Sequence, residues 1–367
     1  MIEILFLDQS GNLGGAELCL LDIATPYKNS CLVSLFADGS FRKTLEQHQI
    51  PTQVLSIQAI KVRKDSNLLQ SLTSLRQVVP LIRQVVQLSY AYDLIYANTQ
   101  KALVVGTIAS AISRRPLIYH LHDILSLEHF SQVNRRLAVF LANQFSSLVI
   151  ANSKATRTAF IEAGGRSSLI EVVYNGLNPD KYQNLATNNE QLRQELNLDK
   201  RFVIGHFSRL SPWKGQHTLL QALTHCLEDT IAIFVGDALF GEEEYVKQIH
   251  QQVIELGLSD RVRFLGFRSD IPQLMAACDL IAHTSIAPEP FGRVIVEAMF
   301  SGKPVVASDA GGAVELIEHG KTGWLTPPGD VLKLAEIINR CRDRSEEATA
   351  IAVAAKREAS QRFNLSL

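Results

Sequence analysis

The sequence predicts an α/β protein made of two doubly wound, parallel-sheet domains of the Rossmann-like kind. Short apolar runs alternate with helical patterns through most of the 367 residues, which is the rhythm of repeated βαβ units. One polar stretch, 178–198, interrupts that rhythm and divides it into two similar series. A chain of this length also has room for two separate cores. Two such halves joined by one connection predict a deep cleft between them.

The first half contains six apolar runs that are long enough to be buried strands. These strand candidates are 2–7, 31–36, 93–97, 116–121, 147–151 and 169–173. Helical patterns follow near 16–25, 68–88, 100–112, 132–144 and 154–163. Ser153 directly precedes the last of these helices and is a favourable N-cap residue.

The polar stretch 178–198 is rich in Asn and Gln and predicts an interdomain connection. After it, strand candidates lie at 202–207, 230–235, 261–265, 279–283 and 304–307, and helices near 215–225, 242–256, 271–277 and 293–300, with others after 312. The expected organisation is an amino-terminal domain at 1–180, a linker at 181–198, a carboxyl-terminal domain at 199–355 and the start of a short closing segment at 356–367.

Composition and charge exclude several classes of function. The chain is 46% hydrophobic and 20% charged with a formal net charge of −1, so bulk charge gives no reason to expect nucleic acid as a partner. Five cysteines are scattered without a C-x-x-C pair, which argues against a disulfide framework and against a structural zinc site. A reducing cytoplasm fits this pattern best.

Membrane insertion is not predicted. The opening "MIEILFLD" carries charges and resembles a buried strand more than a signal peptide, and no uncharged apolar run approaches the roughly 18 residues of a membrane span. In 134–145, Arg135 and Arg136 precede an apolar segment. We interpret this segment as a core helix, and peripheral contact with the inner face of an anionic membrane is the alternative.

Candidate functional residues follow the predicted strands, because ligands of open parallel sheets bind outside the carboxyl ends of the strands. Gly14 and Gly15 come after the first strand and allow a close backbone approach, although a simple glycine turn would look the same. His122 follows 116–121. A lone histidine there is more often structural than catalytic, but this one would open into the predicted cleft.

Cations flank a predicted helix start in the second half. Arg209 and Lys214 lie on either side of a Ser-Pro-Trp turn, and a helix opens near Gly215. Fixed positive charges beside unpaired helix N–H groups favour a phosphate or diphosphate. The segment "DAGGAVE", at 309–315, predicts a further helix start of this kind.

Two carboxylates surround another loop and helix start, in "APEPFGRVIVEAM" at 287–299. Glu289 lies in the loop, Gly292 tolerates its tight turn, and Glu297 falls about one turn into the helix. Acceptors this close to a helix N-terminus suit a ligand with hydroxyls and negative charge. Ordinary solvated glutamates are the alternative for this stretch alone.

Several segments together resemble a family 4 glycosyltransferase of the GT-B fold. They are "GGAE", "RLSPWKG", "VRFLGFRSDIPQLMAACDLIAHTS", "EPFGRVIVEAMFSGKPVVASDAGGAVELIEHGKTGWL" and the closing "RF". The resemblance covers nearly the whole chain and is most specific around 289–297 and the downstream G-G-x-x-E. It implies a retaining enzyme that moves a sugar from a UDP- or GDP-sugar to a hydroxyl of a sugar or lipid-linked acceptor. Polysaccharide, lipopolysaccharide or glycolipid biosynthesis would be its setting.

The resemblance also implies a role for each matched residue. It assigns the donor diphosphate to Arg209 and Lys214, the ribose to Glu297 and the donor sugar to Glu289. The base would lie at Phe267 and Arg268, and the backbone of Phe291 and Gly292 would contact the sugar or its phosphate. Gly14 and Gly15 would approach the phosphate and acceptor, with His122 near the reacting sugar. The implied catalytic set is His122, Glu289, Arg209 and Lys214.

No metal cofactor is expected. The chain contains no Asp-x-Asp, the motif that holds a divalent cation in many sugar-transfer sites. Arg209, Lys214 and the helix starts would then stabilise the leaving diphosphate. Because no nucleophilic carboxylate is evident for a double displacement, we expect a same-face substitution in which the leaving phosphate helps to deprotonate the acceptor.

Other functions remain open at this point. A non-hydrolysing nucleotide-sugar 2-epimerase shares the two-domain architecture, and a non-catalytic nucleotide-sugar sensor would keep the same binding residues. A dehydrogenase is disfavoured because neither first strand is followed by G-x-G-x-x-G. The family usually ends in a helix that crosses back to the amino domain, and only five residues follow Arg362, so an abbreviated or truncated crossover is expected.

Overall fold

The computed structural model describes residues 2–55, 68–126, 130–183, 189–198, 200–239 and 241–366. The chain divides into two compact units, Met1–Asn175 and Gly176–Leu367. Each unit contains one wholly parallel sheet with helices around it. The prediction of two doubly wound parallel-sheet domains is therefore confirmed.

The first unit is built on a seven-stranded sheet of order β3-β2-β1-β4-β5-β6-β7. Its strands are β1 Ile4–Asp8, β2 Cys31–Leu35, β3 Thr52–Val54, β4 Leu94–Ala97, β5 Leu117–Leu121, β6 Ser146–Ala151 and β7 Ile170–Val172. Its helices are α1 Gly15–Ala24, α2 Ser40–Gln47, α3 Leu68–Ser89, α4 Gln100–Ser113, α5 Gln132–Phe145 and α6 Lys154–Glu162. All five residues of β1 are buried, as expected for a central strand covered on both faces.

The second unit is built on a six-stranded sheet of order β10-β9-β8-β11-β12-β13. Its strands are β8 Phe202–Phe207, β9 Thr230–Val235, β10 Val262–Phe264, β11 Leu280–His283, β12 Val305–Ser308 and β13 Trp324–Thr326. Its helices are α7 Asn189–Glu195, α8 Gln216–Leu223, α9 Glu243–Glu255, α10 Ile271–Ala277, α11 Arg293–Phe300, α12 Ala313–Leu316, α13 Val331–Asp343 and α14 Ser345–Arg362.

Side-chain caps mark where several helices begin. The hydroxyl of Ser153 accepts from the Thr156 N–H, which confirms the cap that the sequence predicts for α6. Thr99 caps α4 in the same way, and the carboxylate of Asp330 caps α13. By contrast, α1, α8 and α11 begin at Gly14, Gly215 and Gly292 without a side-chain cap, so their first N–H groups are left to other partners.

Among the described residues, the edge strands β3 and β13 and the short helices α2 and α7 are elements that the sequence pattern did not indicate. Each of these strands has three residues, too few to show a period, and each lies at the edge of its sheet. All of the predicted strands are present. Most are apolar runs with largely buried residues, whereas β7 and β10 are edge strands that carry Glu171 and Arg263.

The stretch that the sequence assigns to a linker lies in the second unit. Tyr182 stacks on Phe300 of α11 with ring centroids 6.1 Å apart, and Arg193 of α7 forms an ion pair with Asp279. Residues 184–188 of that stretch lie outside the described residues. The closing residues also belong to this unit, where Leu177 pairs with Asn364 after the end of α14.

Among the described residues, no helix combines the length and the hydropathy that crossing a bilayer requires.

Candidate active site

In each sheet the strand order reverses beside the first strand of the unit, between β1 and β4 and between β8 and β11. In each of these pairs, the connections that leave the two strands run to opposite sides of the sheet. A crevice therefore opens outside the carboxyl ends of the pair. In both units, candidate polar residues follow the strands that flank this point.

Glu289 is the centre of a polar cluster in the second unit. Its Oε2 accepts from Lys214 Nζ at 2.6 Å and from Ser285 Oγ at 3.1 Å, and lies 3.2 Å from His283 Nε2. Lys214 comes from the turn after β8, whereas His283 and Ser285 lie at the end of β11. The cluster thus forms at the point where the strand order reverses. The Lys214 and Glu289 side chains are 15% and 13% exposed.

The charge state of Glu289 follows from these contacts. Burial alone would raise the pKa of its carboxyl group, but the Lys214 charge and the hydrogen bonds from His283 and Lys214 outweigh that effect. The net result is a pKa well below the ordinary value of a glutamate. Glu289 is therefore ionised at neutral pH, and its negative charge is matched by Lys214.

Trp213 groups the two cations that the sequence assigns to a diphosphate. Lys214 Nζ lies 3.9 Å from the centroid of the Trp213 ring, and Arg209 Cζ lies 5.7 Å from it. Cations at these distances from an indole face are attracted by its electron density. Trp213 therefore helps to hold Arg209 and Lys214 together. The sequence pattern indicated only that Trp213 lies in the turn between them.

A glycine pair supports the loop that carries Glu289. Gly311 adopts φ +64°, and a Cβ there would lie 2.3 Å from the Glu289 carbonyl oxygen. The N–H of Gly312 donates to that same oxygen at 2.6 Å. The helix that follows, α12, has only four residues. The glycine pair therefore allows this segment to pack its backbone closely against the loop.

At the corner of the Glu289 loop, the backbone of Phe291 and Gly292 is the part available for contacts, because the Phe291 side chain is packed inside. The Phe291 ring is buried, with its centroid 6.1 Å from that of Phe363, while Gly292 adopts φ +94° at the start of α11. Glu297 lies one turn into α11, as predicted, and its Oε1 accepts from Arg293 Nε at 2.9 Å. This pairing positions the Glu297 carboxylate near the helix start.

The segment predicted to hold a base lies between β10 and α10. Phe267 is 67% exposed, while Arg268 donates through Nε and Nη2 to the Asp270 carboxylate at 2.7 and 2.5 Å. The Arg268 guanidinium is thereby fixed on Asp270. The exposed Phe267 ring offers a face on which a planar base could stack.

In the first unit, His122 ends a chain of hydrogen bonds across the carboxyl edge of the sheet. His122 Nε2 lies 2.8 Å from Asn98 Oδ1, and Asn98 Nδ2 donates to Asp8 Oδ2 at 2.6 Å. These residues follow or end β5, β4 and β1, which are neighbours in the sheet. The Asn98 amide presents its oxygen to the ring, so His122 carries its proton on Nε2. Burial lowers the pKa of His122 to about 3, which keeps it neutral.

Two carboxyl groups lie at the glycine loop of the first unit. Burial raises the pKa of Asp8 to about 6, and burial together with the Asp8 charge raises that of Glu17 to about 7. Gly14 and Gly15 open α1 here, and a Cβ on Gly15 would meet no atom within 4 Å. The space beside Gly15 is therefore unobstructed, which is compatible with the predicted close approach of a ligand.

Sequence reasoning missed Asp8, Asn98, His283 and Ser285. A usable signal existed for each of them, since all four are polar residues at or just after the end of a buried strand. The structure brings Lys214 and Glu289 together and groups Arg209 with them around Trp213. It places Phe267, Glu297 and Gly292 on other loops and helix starts of the same unit.

Comparisons with known proteins identify the family of the chain. Residues 13–181 match the family described as glycosyltransferase family 4, and residues 188–358 match the glycosyl transferases group 1. The crystal structure of Anabaena HepE in complex with UDP-glucose is 60% identical, with a TM-score of 0.94 over 100% of this chain and 96% of that chain.

Two curated relatives match less of the chain. Spore coat protein SA of Bacillus subtilis is 35% identical over 256 residues, which are 66% of this chain and 67% of that protein. A GDP-mannose-dependent phosphatidylinositol monomannoside mannosyltransferase of Mycobacterium tuberculosis is 27% identical over 56% of this chain, and the match spans about half of that enzyme, 54%. With its two parallel-sheet units and these matches, the chain belongs to the family 4, group 1 glycosyl transferases of the GT-B fold.

Proposed function

We propose that this protein transfers a hexose from a UDP-sugar to a hydroxyl group of a sugar or lipid-linked acceptor, with retention at the anomeric carbon. The observation that carries the proposal is the cluster of Arg209, Lys214 and Glu289 at the strand-order reversal of the second unit. The 60% identity to a protein crystallised with UDP-glucose supports UDP as the nucleotide. Polysaccharide, lipopolysaccharide or glycolipid assembly is the proposed setting, in the cytoplasm.

Departure of UDP is the step that the cluster would assist. Cleavage of the sugar–phosphate bond leaves extra negative charge on the diphosphate, and fixed cations stabilise that charge without reorganising. Arg209 and Lys214 provide such cations, and the uncapped N–H groups of α8 and α11 add oriented dipoles.

Glu289 would stabilise the reacting sugar as positive charge develops on it. Its Oε2 already accepts from up to three donors, which favours a fixed electrostatic role over attack as a nucleophile. We therefore propose same-face substitution, in which the departing phosphate oxygen takes the acceptor's proton. His122, held neutral by burial and with its Nε2–H directed at Asn98, would accept a hydrogen bond from a hydroxyl of the sugar at Nδ1 without adding charge.

Ligand-dependent stability tests the nucleotide. UDP and UDP-glucose are expected to raise the thermal midpoint of the folded protein, since a ligand that binds only the native state stabilises it. GDP and GDP-mannose serve as matched ligands and are expected to change the midpoint less. Stabilisation by the guanine nucleotides alone would overturn the choice of UDP. Epimerised UDP-sugar formed without an acceptor would favour the epimerase alternative.

Transfer is expected to keep nearly its full rate in excess EDTA, because Arg209 and Lys214 would supply the charge that a divalent ion supplies elsewhere. The measurement is product formation before and after chelation, with magnesium or manganese added back. A rate that disappears with EDTA and returns with either ion would contradict the metal-free proposal.

Phe267→Ala is expected to weaken UDP binding by roughly 5- to 150-fold, since stacking of a base on an aromatic ring contributes about 1–3 kcal/mol. Calorimetry with UDP measures the change. Leu332→Ala provides a matched control, because Leu332 is almost equally exposed in the second unit but lies on α13. Equal affinity of wild type and Phe267→Ala would remove Phe267 from the base site.

We also propose peripheral contact of α5 with an anionic membrane. The sequence favoured a core helix, yet Val133, Leu137 and Phe140 are exposed along one face, while Ala138, Val139 and Ala142 face the interior. Arg136 is exposed on the same turns and suits anionic headgroups. Apolar and basic side chains together are what an interfacial helix presents to a bilayer.

Co-sedimentation with phosphatidylglycerol vesicles at low salt tests this contact. The wild type is expected to pellet, and Phe140→Asp is expected to stay largely in the supernatant. Ile254→Asp, at an exposed apolar residue of α9, is the matched control and should pellet like the wild type. A wild-type protein that does not pellet would exclude the membrane contact.

A further inference from the structure

A buried thiol and two imidazoles converge in the first unit. Cys19 of α1, His120 of β5 and His122 form a set of metal-ligating side chains found among the described residues, with ligand atoms all within 4.8 Å of one another. His120 and His122 are two positions apart along an extended chain, so they project to the same side of the sheet. The tertiary fold brings Cys19 to them from another element.

In each histidine, one ring nitrogen has a hydrogen-bonding neighbour on an adjacent strand or strand end, and the two rings lie side by side with centroids 3.8 Å apart. Tyr96 Oη lies 2.7 Å from His120 Nδ1, and Asn98 Oδ1 lies 2.8 Å from His122 Nε2. A histidine that binds a metal through one nitrogen usually makes such a hydrogen bond through the other, which fixes its orientation. His120 Nε2 and His122 Nδ1 are then the nitrogens left for an ion.

His120 Nε2 provides an independent indication. The side chain is only 3% exposed, and among the described residues this nitrogen has no hydrogen-bond partner. A buried polar atom without a partner is costly and calls for an unseen ligand such as an ion or water. The tyrosine contact holds the ring in this orientation.

The environment of Cys19 differs from that of other buried thiols in the chain. Cys31, Cys226 and Cys278 are directed at backbone carbonyl oxygens, whereas Cys19 Sγ donates to the side-chain oxygen of Asn175 at 3.3 Å. Loss of the thiol proton would require the Asn175 amide to turn and present its N–H groups. A side-chain amide can make that change, and a backbone carbonyl cannot.

We propose that Cys19, His120 and His122 bind a borderline-soft transition-metal ion of the zinc class, and that the bound ion inhibits sugar transfer. Two nitrogens and a thiolate favour such ions over magnesium or manganese. Three protein ligands leave the fourth position to water, unlike the closed four-ligand sites of structural zinc. Binding releases one proton, from Cys19, to solvent.

Inhibition follows from the role of His122 and rests on the proposed function. Zinc takes ligands at about 2.0–2.3 Å, so an ion on His122 Nδ1 would occupy the space next to the ring and hold the ring toward Cys19. The sugar would then lose its contact with His122. The proposed ligands are other residues than the diphosphate cations Arg209 and Lys214, so the site is compatible with transfer that needs no added metal.

Cobalt(II) titration of the purified protein tests binding without reference to activity. We expect one equivalent to produce the intense visible bands of a tetrahedral site and a thiolate-to-cobalt charge-transfer band in the near ultraviolet. Cys19→Ser is expected to lose the charge-transfer band and to bind zinc at least tenfold more weakly. Cys31→Ser removes a buried thiol outside the cluster and should behave like the wild type.

His120→Gln is the second variant, in case Cys19→Ser folds poorly, and is expected to weaken zinc binding to a similar extent. Absence of the charge-transfer band in the wild type, or an equal band in Cys19→Ser, would overturn the site.

Zinc inhibition of transfer is the second readout. Micromolar zinc is expected to slow the wild type and Cys31→Ser, and Cys19→Ser should resist it while keeping its basal rate. Binding of cobalt without any zinc inhibition would overturn the inhibitory role. A protein that binds cobalt as described but transfers no sugar from any donor would contradict the proposed function and leave the metal site established.

Discussion

Glu289→Gln is expected to lower kcat by at least about tenfold and to leave the KM for the donor nearly unchanged. The carboxylate would act mainly on charge that develops in the transition state, and loss of such an interaction appears in kcat. Lys214, His283 and Ser285 hold Glu289 in place, and glutamine preserves its shape but not its charge. The same substitution leaves Lys214 without its partner, so folding must be confirmed by circular dichroism.

Glu297→Gln is the matched comparison for this prediction. Glu297 would bind the ribose, which hardly changes during reaction, so its loss should raise the donor KM and affect kcat less. Steady-state kinetics of both variants with UDP-glucose and an acceptor that turns over provide the measurement. If both substitutions change only KM, or neither changes anything, Glu289 has no special role in the transition state.

Lys214→Met is expected to weaken UDP binding by roughly 10- to 150-fold. A hydrogen bond to a charged group contributes about 1.5–3 kcal/mol, and methionine retains the apolar stem over Trp213 without the charge. Calorimetry with UDP measures the loss. Unchanged affinity in a folded variant would exclude Lys214 from the diphosphate site.

The same substitution is expected to destabilise the protein, because it leaves the Glu289 charge without its main partner. Breaking a largely buried ion pair by removing one side costs about 3–5 kcal/mol at neutral pH. The double variant Lys214→Met/Glu289→Gln should recover part of this loss, which a double-mutant cycle quantifies. Additive effects would show that the pair contributes nothing to folding.

The pH dependence has a defined sign. Since the pKa of Glu289 is lowered on folding, the folded state holds fewer protons on it than the unfolded state. Its contribution to stability is therefore fully present above the ordinary pKa of 4.5 and is lost as the pH falls below that value. The difference in unfolding free energy between wild type and Lys214→Met should shrink over the same range, as measured by urea unfolding at several pH values.

Much of the fold was determined by the sequence itself. Short apolar runs such as 202–207 and 230–235 are typical of strands buried on both faces, and the helical patterns between them favour parallel crossovers. The turn at Gly292 and the cap at Ser153 are also local, because backbone freedom and side-chain reach act within a few residues. Candidate residues could be located for the same reason, since they follow the strands directly.

The partners of those residues were decided only by the tertiary structure. Glu289 is 75 positions from Lys214 and Asp8 is 90 from Asn98, and no local pattern specifies which strand ends meet. The cysteines are also isolated from one another along the sequence, whereas folding places Cys19 beside His120 and His122. The order of the strands in each sheet determines which of these residues come into contact. That order depends on the burial of whole sheet faces by helices from elsewhere in the chain. Charge pairing, pKa and metal-binding geometry depend on those long-range contacts, so they cannot be obtained from spacing along the chain.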